Sequence, residues 1–216
     1  NLITLRLNTG GTYTTHTVQS PVGFAGEAGE FVLFDQNQDG AIDILCTVTI
    51  DGQAHLAVGI NDVCTMGPAD SFQTWTTIAG PFQEQLWPSV LDHDNDGDLD
   101  LLVVHVSNVS SPGPGYHYQP LRIYRNEGGV FTDVTVGSGL GTGHGLPTLW
   151  DYNNDGYLDL LFGDGDCCDQ PRMNQVYRNN GDGTFTDLGG SLGLRSGTTY
   201  YFPPEIFDVD NDGDED

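Results

Sequence analysis

Four nine-residue acidic loops, set at nearly equal intervals, constrain this chain more than any other feature. The fullest is Asp92-His93-Asp94-Asn95-Asp96-Gly97-Asp98-Leu99-Asp100, with oxygen-bearing side chains at positions 1, 3, 5 and 9 and glycine at position 6. Alternate carboxylates on a tight turn converge on one point, which suits a hard cation that takes several oxygens. Gly97 permits the sharp turn that a Cβ would resist. Asp98, at position 7, is expected to offer its backbone carbonyl.

The other three loops supply Asp35, Asn37, Asp39, Ala41 and Asp43; Asp151, Asn153, Asp155, Tyr157 and Asp159; and Asp208, Asp210, Asp212, Asp214 and Asp216 at the same five positions, with Ala41, Tyr157 and Asp214 again acting through the backbone. Starting at residues 35, 92, 151 and 208, the loops are 57, 59 and 57 positions apart. Such a period means tandem units. The likeness to an EF-hand stops halfway. Position 12, where an EF-hand has a bidentate glutamate, is Cys46, Val103 or Phe162, so each loop runs into an apolar strand. One calcium ion per loop, four in all, is the expected complement.

The charge fits a cation-loaded chain. Formal net charge is −25, with six arginines and no lysine, and fourteen acids occupy loop positions 1, 3, 5 or 9. Without cations these clusters repel one another. Nucleic acid is excluded as a partner, because nothing here would replace a phosphate backbone's counterions. No apolar run is long enough for a membrane-spanning helix. The chain does not begin with Met and stops on a closing loop residue, which implies a processed or partial chain, incomplete at its C-terminus.

Loops of this kind serve best where calcium is near millimolar, outside the cell, where disulfides also persist. Cys46 and Cys64 could clip neighbouring strands; Cys167 and Cys168 are adjacent, and the pairing stays open. Asn108-Val109-Ser110 fits a glycosylation sequon. An extracellular location, secreted or at the cell surface, is expected.

The strands follow from the apolar runs. Leu2–Leu7 and Thr12–Val18 read as a hairpin, Phe31–Phe34 delivers the chain to the first loop, and Ile42 to Ile50 leaves it, with the loop joining a third strand to a fourth. Later strands are expected at 55–60, 72–78, 86–91, 99–106, 121–126, 130–134, 146–150, 158–162, 175–180 and 184–187. Approximate units are 1–52, 53–108, 109–170 and 171–216, within one repeat domain over 1–216. Tandem four-stranded antiparallel units point to an all-β propeller; a stacked solenoid is the rival.

Tyr177-Arg178-Asn179-Asn180-Gly181-Asp182-Gly183-Thr184-Phe185-Thr186-Asp187, together with Asp151…Gly156-Tyr157-Leu158-Asp159-Leu160, resembles the FG-GAP/VCBS repeat family. The likeness covers the third and fourth units well, the first fairly, and the second mainly at its loop. It implies an integrin-α-like propeller of seven or eight blades, of which this chain is part, with calcium at the loop positions named above. The exit strands at 101–104 and 160–164 read closer to the bacterial VCBS style than to integrins.

No nucleophile constellation is visible, and the six histidines show no metal spacing. His93, at loop position 2, is expected to face solvent. Gly163–Asp169 reads as a rigid turn, with an additional cation site as its rival. Tyr116, His117 and Tyr118, with Tyr200, Tyr201 and Phe202, lie in connections where rings could stack on sugars or protein. The sequence therefore points to a non-catalytic binding, adhesion or assembly module, with a glycan, an extracellular protein or its own copies as partner. Part of a polysaccharide-degrading enzyme and a subunit of an extracellular filament or sheath are the alternatives.

Overall fold

The computed structural model describes residues 2–9, 12–19, 31–60, 74–82, 85–107, 117–118, 120–141, 147–163, 175–189, 192 and 206–210. Every regular element among them is a strand, and every pairing is antiparallel. The chain divides into two compact units, 1–84 and 85–216.

In the first unit, β1 (Leu2–Thr9) and β2 (Thr12–Gln19) pair with each other and, among the described residues, with no other strand, Leu2 facing Gln19 and Thr9 facing Thr12. The four-stranded sheet starts later, in the order β3 (Phe31–Phe34), β4 (Asp43–Ile50), β5 (Gln53–Ile60) and β6 (Thr74–Phe82). This differs from the frame expected above. The acidic loop joins the first strand of the sheet to the second, not the third to the fourth. Asp51 (φ 51°) and Gly52 (φ 77°) form a two-residue turn that folds β4 straight back onto β5, so Ile50 faces Gln53. The sheet is thus completed by residues that follow β4, and among the described residues the N-terminal hairpin contributes no strand to it. Ile44, Cys46, Val48 and Ala57 form a buried cluster, with Ile50 and Trp75 packed against it. Cys46 is a free thiol within that cluster, and burial pushes its pKa up to about 12.

The second unit holds two sheets. One contains β7 (Gln85–Leu91), β8 (Asp100–Ser107), β10 (Arg122–Glu127) and β11 (Val130–Asp133), with the short β9 (His117–Tyr118) also paired to β8. His117 and Tyr118, expected in a connection, therefore belong to a strand facing Ser107 and Val106. The other runs β12 (Thr148–Trp150), β13 (Asp159–Phe162), β14 (Gln175–Asn179) and β15 (Phe185–Asp187).

Alternation along these strands sends Leu91, Leu102, Val104, Leu121 and Ile123 of one sheet against Leu160, Phe162, Tyr177 and Phe185 of the next. The Phe162 and Tyr177 rings meet edge to face at 6.0 Å. Each fully buried side chain of this size contributes roughly 1.5–3 kcal/mol. The connection after β11 is stitched to both sheets: Val134 N–H donates to Ile123 O at 3.0 Å, Leu121 N–H to Gly141 O at 2.8 Å, and Phe185 N–H to Ser138 O at 2.6 Å.

Candidate metal centre

Three of the four acidic loops lie fully within the described residues, and their backbones agree. Position 4 has a left-handed conformation each time, at Gln38 (φ 57°), Asn95 (59°) and Asn154 (55°). Position 6 does too, at Gly40 (88°), Gly97 (94°) and Gly156 (91°). A Cβ on Gly97 or Gly156 would meet nothing within 4 Å, so the backbone angle, not space, demands glycine there.

The position-5 carboxylate accepts the position-7 N–H in each of these three loops: Asp39 from Ala41 at 2.8 Å, Asp96 from Asp98 at 2.8 Å, Asp155 from Tyr157 at 3.0 Å. Position 1 accepts from residues further round the turn. Asp35 takes the N–H groups of Asp39 and Gly40 at 3.1 and 2.9 Å, and Asp151 those of Asp155 and Gly156 at 3.0 and 2.8 Å. Asp92 takes Gly97 N–H on Oδ2 at 3.1 Å, while its Oδ1 is buried with no hydrogen-bond partner, as is Asp94 Oδ1.

Ligand oxygens of Asp92, Asp94 and Asp96 lie within 4.8 Å of one another, and Asp94 forms a second such group with His93 and Asp100. Burial raises the Asp94 pKa, and the neighbouring charges of Asp100, Asp96 and Asp92 raise it further, against His93. Buried anionic oxygens without donors are costly unless a positive charge meets them. The residues of this loop therefore fit a hard divalent cation, which would be held by Asp92, Asp94 and Asp96.

Position 9 has a structural job besides the ligand role expected of it. Asp43, Asp100 and Asp159 open β4, β8 and β13 and are buried to 0%, 0% and 1% exposure. Each accepts the position-2 N–H: Gln36 to Asp43 at 3.1 Å, His93 to Asp100 at 2.9 Å, Tyr152 to Asp159 at 3.2 Å. The other oxygen of Asp100 and of Asp159 accepts the backbone N–H of Asn126 or Asn179, both at 2.7 Å. These aspartates buckle the loop to its own sheet. Burial raises Asp159 to about 6, despite the opposing hydrogen bonds from Asn179 and Tyr152.

Asn126 and Asn179 escaped the sequence reading. Their Nδ2 groups donate to the position-8 carbonyls of Leu99 and Leu158 at 3.1 and 3.3 Å, and their Oδ1 atoms accept Gly129 and Gly181 N–H at 2.8 and 2.9 Å. The repeated Tyr-Arg-Asn at 124–126 and 177–179 was the available clue.

One further expectation is extended and one is corrected. Asp98 does more than present a carbonyl: its Oδ2 accepts Gly128 N–H from the β10–β11 turn at 2.9 Å. His93 does not face solvent but is 2% exposed, with Nδ1 hydrogen-bonded to Asp100 Oδ2. Burial pulls its pKa down, yet the Asp100 hydrogen bond and the charges of Asp100, Asp94 and Asp92 outweigh it, so the net shift is upward. A Cβ built on Gly183, in the β14–β15 turn of the neighbouring sheet, would stand 3.6 Å from His93 Nε2 and 3.5 Å from Asp94 Cβ. A residue about ninety positions away thus closes over this loop.

Asp208 and Asp210 are described; Asp212, Asp214 and Asp216 lie outside the described residues. So do Cys64, Cys167, Cys168, Asn108, Tyr116, residues 164–169 and residues 200–202. No helix among the described residues is long and apolar enough to cross a membrane.

The model of the FG-GAP-like repeat matches residues 92–162 and 151–216, more than half of the chain. The chain belongs to the FG-GAP-like repeat family. Each matched stretch begins at position 1 of an acidic loop, Asp92 or Asp151, so the FG-GAP-like frame and the loop spacing coincide. The antiparallel four-stranded sheets agree with FG-GAP blades. FG-GAP repeats suggest a binding or adhesion-type propeller module and are typical of extracellular and surface proteins. No curated protein and no solved structure shows significant similarity to the chain.

Proposed function

We propose that this chain is part of a calcium-stabilised propeller of seven or eight blades, working outside the cell as a non-catalytic binding, adhesion or assembly module for glycans or proteins. The observation that carries the calcium reading is the pair of buried, donorless oxygens on Asp92 and Asp94, set in a loop whose backbone recurs at 35–43 and 151–159. The role of the cation is structural: it would hold the turn between the first two strands of each sheet and so fix their register. Membership of the FG-GAP-like repeat family supports the binding role.

The test is retention of the chain on a panel of polysaccharides, in calcium and in chelator, while the eluate is assayed for cleaved product. Calcium-dependent retention without product is the expected result. Release of product would replace the binding module with a polysaccharide-degrading enzyme. Retention on nothing, with light scattering that grows with concentration, would move the role to self-assembly in a filament or sheath.

A further inference from the structure

Resting on the calcium reading above, the three fully described loops differ in a way that ranks them. We propose that, of these three, the loop at 92–100 is the tight cation site, and that the loops at 35–43 and 151–159 fill only at higher cation concentration. The difference lies at position 3, which is Asp94 in the first case and Asn37 or Asn153 in the others.

Each asparagine satisfies its loop internally. Asn37 Nδ2 donates to Asp39 Oδ2 at 2.9 Å and its Oδ1 accepts Asp39 N–H at 3.2 Å. Asn153 does the same with Asp155, at 2.8 and 3.3 Å. In both loops the position-1 carboxylate also has a backbone N–H on each oxygen. A cation entering there displaces or shares hydrogen bonds already made, and it meets three carboxylates over positions 1, 3, 5 and 9.

At Asp94 there is no amide to donate, and the loop carries four carboxylates at those positions. Asp92 Oδ1 and Asp94 Oδ1 are buried without donors, so a cation entering there loses no hydrogen bond at those two atoms. The cover adds to this. The Gly183 turn of the adjacent sheet lies against His93 and Asp94, which keeps water from that side of the loop and strengthens charge interactions there. Affinity in oxygen-ligand loops rises with the number of charged ligands, which favours this loop.

Isothermal titration of the decalcified full chain with calcium reads the ranking directly. The expected isotherm has a tight and a weak class. Asp94→Asn, which installs the residue type of the other two loops, should remove one site from the tight class and weaken it by roughly tenfold or more. Asn153→Asp should move one site the other way, which keeps the test decisive if Asp94→Asn fails to fold. A single class of equal sites, or an unchanged isotherm in both variants, overturns the ranking while leaving calcium binding intact. No binding at millimolar calcium overturns the calcium reading itself, and the ranking with it.

Discussion

Asp159 Oδ1 accepts the backbone N–H of Asn179 at 2.7 Å, and the two residues are twenty positions apart. That single bond ties the end of the acidic loop in β13 to the third strand of its sheet, and Asp100 repeats it with Asn126. Position 9 therefore supports the fold before any cation arrives. Positions 1, 3 and 5 have only the loop itself to organise.

Asp159→Ala should consequently destabilise the chain even in chelator, by about 2–4 kcal/mol, because it strands the buried N–H of Asn179 and that of Tyr152. Asp155→Ala, on the exposed part of the loop, should cost less than about 1 kcal/mol under the same conditions. Urea unfolding of both variants with and without calcium separates the two roles. Equal losses in chelator would show that position 9 has no special part.

Calcium withdrawal should lower the melting temperature. A site at a hundred times its dissociation constant contributes about 2.7 kcal/mol, so several sites at that level rival the stability of a small domain. Differential scanning calorimetry across a calcium series gives the slope; a flat response would mean that the loops are not metal staples.

Gly181→Ala should be costly for two separable reasons. Gly181 has φ +70°, and a Cβ there would overlap the Tyr157 ring. The backbone term is roughly 1 kcal/mol, and the overlap adds to it. Placing the same change in a Tyr157→Ala background should restore the overlap share and leave the backbone share. A double-mutant cycle by urea unfolding that shows no coupling would remove Tyr157 from the account.

His105 makes stability depend on pH. Burial, and next the Arg122 charge, hold its pKa down to about 4, against Asp133. In the unfolded chain the imidazole titrates near its ordinary value of about 6.5. Between those values the unfolded chain takes up a proton that the folded one refuses. Its stabilising contribution is therefore complete above about pH 6.5 and declines as pH falls toward about 4, by a few kcal/mol at most. Asp159, raised to about 6, acts in the opposite sense in the absence of cation, gaining stability as pH falls through its folded value. Comparing His105→Gln with the unaltered chain at about pH 7.5 and about pH 5 isolates the histidine: the variant should lose less stability on acidification.

The loops, their spacing, the strands that flank them and the family were legible in the chain itself. Carboxylates at alternate positions around a glycine, followed by an apolar run, carry their meaning within nine or ten residues. The period of about 58 residues follows from comparing such stretches. What sequence could not supply was the frame of each sheet and the neighbours of each loop. A tandem repeat has no unique starting point along the chain, and the strand pairings, among them the turn at Asp51-Gly52, show that a sheet begins at the strand entering the loop. Likewise, His93 reads as solvent-facing when only its own loop is considered. It is buried, and the Gly183 turn, far along the chain in another sheet, lies against it. Local pattern determined where the carboxylates converge; long-range hydrogen bonding and sheet-on-sheet packing decided which of them hold the fold together and which keep buried oxygens without a donor.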